Sequence, residues 1–174
     1  MKYLAMLFPA FILVIATACQ TAKVLSTGEY IEVPFQTLNG KIPVLKVTIN
    51  GKTAWMIVDT GASVTVVNAA VANQYGFLVA GNLSASKTEM ASLAGTTDLY
   101  ATYSCNINIG ELAIKYAPKA QNMISLMSRI KEHDKITIVG ILGSDVLSKY
   151  KMNINYAAQT ITYPASKRSA DSCP

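Results

Sequence analysis

The sequence predicts a mainly β fold with two or three short helices, and three observations carry that prediction. Asn50-Gly51 stands between two β-rich runs, the strongest short-range hairpin signal a sequence offers. From Leu99 to Ile109 side chains alternate, with Leu99, Ala101, Tyr103, Cys105, Ile107 and Ile109 on one face and Tyr100, Thr102, Ser104, Asn106 and Asn108 on the other. That is the period of a half-buried strand. Nine tyrosines, many Val, Ile and Thr, and turn residues at frequent intervals favour strands over a helical bundle. A chain of 174 residues is normally one domain, and 51% apolar with 14% charged residues is ample for a single core.

Residues 1–18 are organised as a signal peptide. Lys2 supplies a positive start, Tyr3 to Ile15 is an apolar run interrupted only by Pro9, and the small residues Ala16-Thr17-Ala18 follow. The run is too short for a stable membrane span. Ala-x-Ala suits an ordinary signal peptidase, while Cys19 directly after it resembles the lipobox of bacterial lipoproteins, in which that cysteine is acylated; the usual lipobox has Leu where Ala16 stands. Both readings cut the same bond. The protein is therefore expected to be exported to the cell envelope, with Cys19 as a lipid anchor in the membrane, on the periplasmic side or at the outer membrane. Lipidation of Cys19 leaves Cys105 and Cys173 as an even pair that an oxidising compartment allows to form a disulfide. Equally, Cys105 on an apolar strand face is a plain core residue, and Cys173 belongs to a polar tail, 165–174.

Residues 19–40 read as a tether followed by an edge strand, with Ile31 and Val33, stopped near Pro34. The main domain, 41–164, opens with Ile42 to Ile49 and Thr53 to Val58 around the Asn50-Gly51 turn, and the second strand runs into Asp59-Thr60-Gly61. Asp59 thus sits in a tight loop between strands. Ser63 to Val67 is β-branched again, and Asn68 caps a short helix, Ala69 to Tyr75, closed by Gly76. Ala94-Gly95-Thr96-Thr97 is a small-residue turn that suits either the tip of a hairpin standing over a site or an ordinary surface turn. Leu112 to Tyr116 follows the turn at Gly110-Glu111, and Met123, Met127 and Ile130 have the spacing of a core-covering helix that ends near His133. Ile136 to Leu142 is a largely apolar strand ending at Gly143; Ser144 caps a helix from Asp145 to Tyr150; Met152, Ile154 and Tyr156 with Ile161 and Tyr163 make a final hairpin.

Counting excludes most catalytic constellations. The only histidine, His133, lies in Lys131-Glu132-His133-Asp134-Lys135, which reads as a solvated helix end, so Ser-His-Asp and Cys-His chemistry lacks a base. One His and scattered Cys offer no zinc-ligand spacing, and no glycine-rich phosphate loop is present, so neither metal nor cofactor is expected. The formal charge of +5 is spread along the chain without the basic cluster and interleaved aromatics of a nucleic-acid groove, which argues against a nucleic-acid partner.

What remains is Asp59-Thr60-Gly61-Ala62-Ser63, behind the apolar run Trp55-Met56-Ile57-Val58. An Asp emerging from a hydrophobic strand is poised in a low-dielectric setting, a Thr hydroxyl can fix the loop, and Gly lets backbone approach and donate to the carboxylate. Those are the needs of a carboxylate that acts as a base. The segment resembles the active-site loop of retropepsin-like aspartic peptidases. A second hallmark of that family, two apolar residues and a Gly before a short helix, is matched by Ile141-Leu142-Gly143 ahead of Ser144-Asp145-Val146-Leu147. The order of elements agrees from roughly Ile42 to Tyr163.

The resemblance implies a retropepsin-like closed β-barrel, a single acid-protease lobe. It implies an aspartic endopeptidase that hydrolyses a peptide or protein substrate with a water activated by two Asp carboxylates. On the matching positions it implies catalytic roles for Asp59, Thr60 and Gly61, substrate contacts at Ala62 and Gly95, and support of the site by Ile141, Leu142 and Gly143. Because no second Asp-Thr-Gly or Asp-Ser-Gly occurs, it also implies a homodimer in which a second copy of Asp59 completes the pair. Asp145, the nearest rival carboxylate within one chain, reads as a helix-start residue. Compared with compact retroviral enzymes, the helix from about Met123 to Glu132 and the stretch from Phe77 to Leu93 are extra, and either can cover the cleft or block the dimer axis. The competing readings are a non-catalytic peptide-binding envelope lipoprotein that keeps the fold, and a structural β lipoprotein whose Asp59 merely caps a turn.

Overall fold

Two Asn-Gly pairs start the fold. Asn39 and Gly40 (φ 51° and 68°) and Asn50 and Gly51 (φ 49° and 79°) all take left-handed backbone. That geometry joins strands with their natural twist. The computed structural model describes residues 25–26, 29–81, 87–92, 95–134 and 136–166; residues 1–18, where a signal peptide is expected, Cys19, Ala94 and Cys173 lie outside them. In chain order the elements are β1 (Leu25–Ser26), β2 (Tyr30–Leu38), β3 (Ile42–Ile49), β4 (Lys52–Val58), β5 (Val66–Asn68), a 3-10 turn (Ala69–Val71) running into α1 (Ala72–Tyr75), β6 (Leu78–Val79), β7 (Lys87–Ser92) and β8 (Gly95–Tyr103). They continue with β9 (Ile107–Ile109), β10 (Leu112–Ile114), β11 (Lys119–Gln121), α2 (Ile124–Asp134), β12 (Ile138–Leu142), α3 (Ser144–Lys149), β13 (Asn153–Asn155) and β14 (Thr160–Pro164).

The main strand order is β13-β14-β2-β3-β4-β12-β5-β11-β8-β6. The fold is mainly β, as expected, but the sheet is open rather than a closed barrel. Its two ends, β13 and β6, are three and two residues long, too short to pair on both edges and seal a cylinder. The expectation of an edge strand stopped near Pro34 is also corrected. Tyr30 to Pro34 pairs with β14 and Phe35 to Leu38 pairs with β3, so β2 lies inside the sheet. Pro34 is tolerated because the strand changes partner beside it, where Phe35 N–H donates to Gln159 O at 2.9 Å.

The predicted strand Leu99–Ile109 is two strands. Ser104 turns out of β geometry at φ 56°, and the Asn50 amide holds the break by donating to Ser104 O at 2.7 Å and accepting from Asn106 N–H at 3.0 Å. The alternation shifts accordingly: Thr102 is buried with its hydroxyl donating to Pro118 O, while Tyr103 is exposed. Asn68 caps as predicted, accepting from Ala70 N–H at 3.1 Å, and Gly76 closes α1 in left-handed geometry. His133 falls within α2.

Alternation along β4 divides the core. Met56 and Val58 face the larger cluster, with Leu45, Val67, Val139, Leu142, Val146 and Tyr163. Trp55 and Ile57 face a smaller one, with Leu38, Val44, Val66, Leu99, Met123, Met127 and Ile138. Asp59 follows Ile57 by two residues and leaves the strand toward this second side.

Candidate active site

The Asp59 loop is fastened to β12 and α3. β4 and β12 run parallel with Ile57 opposite Ile141 and Val58 opposite Leu142. The pairing continues into the loop, where Asp59 N–H donates to Leu142 O at 3.1 Å. Ala62 N–H returns to Asp59 O at 3.2 Å, closing the turn, and Gly61 N–H donates to Asp59 Oδ1 at 2.8 Å. The sequence-local expectation that Gly61 donates to the carboxylate is therefore met. Gly61 is also tightly placed, because a Cβ there would stand 3.2 Å from that same oxygen.

Gly143 and Ser144 fix the other side of the loop. A Cβ on Gly143 would come within 2.7 Å of Val64 C and 2.9 Å of Ala62 O, so only glycine lets the two segments touch. Ser144 N–H and Ser144 Oγ–H both donate to Ala62 O, at 2.7 and 3.0 Å. Ser144 was expected to cap a helix starting at Asp145; instead α3 begins at Ser144 with Gly143 as its cap residue, and the serine hydroxyl binds the Asp loop. Ile141, Leu142 and Gly143 thus gather at the loop with Asp59, Gly61 and Ala62.

Thr65 is the residue that sequence reasoning missed. It is 1% exposed, its hydroxyl accepts from Gly143 N–H at 2.9 Å, and it donates to Asp145 Oδ1 at 2.7 Å. Thr65 N–H donates to Asp145 Oδ2 at 2.9 Å, and Val146 N–H donates to Asp145 Oδ1 at 2.8 Å. Asp145 does sit in the first turn of α3, but both of its oxygens are engaged in tying that helix to the strand after the Asp loop. It is not a second free carboxylate. The Tyr116 phenol is pushed up by burial first, then by the charge of Asp145 and a hydrogen bond to it. The signal for Thr65 was a lone hydroxyl within the apolar run Val64 to Val67.

Asp59, Thr60 and Gly61 are exposed to solvent, so the low-dielectric setting expected for the carboxylate is not provided by one chain. Thr60 opens onto a hollow of about 420 Å³ whose walls include Tyr30, Ser144, Leu147, Met152 and Pro164. Gly95 begins β8 opposite Ser92 in the β7–β8 hairpin, roughly 17 Å along the strand from Tyr100, where β8 joins β11. The hairpin expected there is present. Among the described residues no group of three or more His, Cys, Asp or Glu side chains is arranged to hold a metal ion. None of their helices is long and apolar enough to cross a membrane.

An Asp-Thr-Gly loop locked against an apolar strand, a glycine and a short helix defines the aspartic-protease class. Residues 45–149 match the family model described as "gag-polyprotein putative aspartyl protease", and the chain belongs to that family. Among solved structures it is similar to EIAV protease complexed with the inhibitor HBY-793, at 23% identity and a TM-score of 0.46, covering 66% of this chain and 93% of that one. It is similar also to a retropepsin-like aspartic protease from Rickettsia conorii, at 15% identity and a TM-score of 0.47, covering 78% and 92%. A third is the retroviral protease-like domain of Ddi1 from Leishmania major, at 15% identity and a TM-score of 0.43, covering 80% and 99%. No curated protein matches the chain.

Proposed function

We propose that the protein is an aspartic endopeptidase whose site is completed by two chains, each contributing Asp59. The observation that carries this reading is the Asp59 carboxylate itself, oriented by Gly61 N–H yet left exposed on a loop that β12 and α3 hold rigid. Two carboxylates about 3 Å apart cannot both ionise and share one proton. The ionised one removes a proton from water, whose oxygen attacks the carbonyl carbon, while the protonated one delivers its proton to the carbonyl oxygen. Collapse of the resulting diol returns a proton to the leaving nitrogen and restores the pair. Thr60 braces the loop across the twofold axis, and Ala62 and Gly95 contact the extended substrate. A second chain seated against the Thr60 hollow would bury both Asp59 side chains and supply the dry setting that one chain lacks.

In the same reading the chain is exported, loses residues 1–18, and is held at the envelope membrane through acylated Cys19. Mass analysis of the N-terminal peptide tests that part directly; an unmodified Cys19 in membrane-free protein would contradict it. The enzymatic part is tested by cleavage of a diverse peptide library between about pH 4 and 7. Cleavage should vanish in Asp59→Asn and with a statine-type transition-state inhibitor. Equal cleavage by Asp59→Asn, or none by concentrated wild type, favours the peptide-binding lipoprotein instead.

A further inference from the structure

We propose that a pocket of about 150 Å³ between α2 and the sheet, lined by Asn68, Ile124, Met127, Ser128, Thr137 and Ile138, is a subsite for one medium-sized apolar side chain of the substrate. The inference rests on the reading of Asp59 as the cleavage site and assigns a role to α2, which the mechanism above does not use.

The pocket lies on the Asp59 side of the sheet. Trp55 and Ile57 leave β4 toward one face, and alternation puts Asp59 on it too, since the pairing with β12 continues one residue past the strand through Asp59 N–H and Leu142 O. Ile138 pairs with Trp55, Ile141 with Ile57, and Val66 with Ile141. Ile138 and Ile141 are three residues apart, so regular alternation would place them on opposite faces; the register shift between Ile138 and Gly140 brings both to the same one. Asn68, two residues beyond Val66, comes to that face as well, and its side-chain oxygen accepts from Met123 N–H at 3.2 Å, pinning the start of α2. Met123 and Met127 then reach down into the cluster of Val44, Ile57, Val66 and Ile138. An apolar surface therefore runs without a break from two residues before Asp59 to the pocket wall.

Reach and size select the ligand. Trp55 and Asp59 are four residues apart, about 13 Å along the strand. An extended substrate with its scissile bond at Asp59 reaches the pocket with its third or fourth residue, at about 3.3 Å per residue. An open pocket of about 150 Å³ has room for a single side chain, whereas whole small-molecule ligands occupy pockets of about 300 Å³ or more. Ile124, Met127 and Ile138 supply its apolar walls, and Asn68, Ser128 and Thr137 its polar ones. Ile124 at the rim is 53% exposed and neighbouring Leu126 is 42% exposed, leaving apolar surface for the incoming chain. Methionine adapts its shape to fit varied side chains.

The test uses the full chain and a peptide series in which each position flanking the scissile bond is changed in turn from Ala to Leu, Phe and Trp. At one position three or four residues from that bond, Leu or Phe should raise kcat/KM about tenfold over Ala. Ser128→Phe, which fills the pocket from its exposed rim, should erase that preference while the Ala peptide is still cleaved. Met127→Ala should move the preference at that position toward Trp and leave the other positions unchanged. The same peptides are titrated into Asp59→Asn with the fluorescence of Trp55, the only tryptophan and the direct neighbour of Ile138, as readout. Preferential binding that Ser128→Phe removes supports the subsite even if the wild type cleaves nothing, an outcome that would overturn the peptidase reading alone. No positional preference in either binding or cleavage, or a preference untouched by both variants, overturns the subsite.

Discussion

Asp145 shows how much one carboxylate can organise. It accepts from Thr65 N–H, Thr65 Oγ–H and Val146 N–H, linking residues 80 positions apart. Charge-assisted hydrogen bonds of this kind cost more to break than neutral ones, because the stranded donors stay partly buried. Asp145→Ala is expected to lower unfolding stability by about 2–4 kcal/mol, and Thr65→Val by about 1–3 kcal/mol, with the double variant well short of the sum. Denaturant titration checks both; full additivity would show that the two side chains do not act on one another. Cys105 gives a prediction of a different kind. It is 7% exposed and burial pushes its thiol up to about 11. Its thiolate is thus scarce below that pH, and in a Cys19→Ser, Cys173→Ser variant the remaining thiol should stay unreactive toward Ellman's reagent at pH 8 until the protein unfolds. Immediate reaction in the native state would contradict its burial. The hydrogen bond from Gly61 N–H to the Asp59 carboxylate was legible in the sequence because the two residues are only two positions apart. Thr65 was not, since its partners Gly143 and Asp145 meet it only after β12 is placed.

At the scale of elements, Asn50 does more than turn a hairpin. Its amide donates to Tyr75 O, Gly76 O and Ser104 O and accepts from Asn106 N–H, so the β3–β4 turn also holds the end of α1 and the break between β8 and β9. Asn50→Gly, which keeps the left-handed backbone, should still cost about 2 kcal/mol in thermal or denaturant unfolding. A neutral effect would mean the turn geometry alone matters. The β3–β4 hairpin, the capped α1 and the final hairpin were readable from local pattern. The equivalent Asn39-Gly40 signal is masked by Pro34 upstream, since proline is rare inside a sheet and reads as the end of the strand. The split at Ser104 was hidden for another reason: apolar alternation persists across it, and only the tertiary contact from Asn50 reveals the kink. β11, three residues paired parallel to β5, is too short to carry a period of its own.

At the scale of the molecule, the sequence implied closure and a dry carboxylate, and one chain supplies neither. The sheet ends on two short strands, and Asp59 is exposed beside the hollow at Thr60. Both features are accounted for if the working unit contains two chains. The most direct test mixes wild type with Asp59→Asn at constant total concentration, under conditions in which subunits exchange, and follows cleavage of one good substrate. If each site needs Asp59 from both chains, activity falls as the square of the wild-type fraction, to about one quarter in an equal mixture. A linear fall, to about one half, would place a complete site in a single chain and contradict the two-chain account.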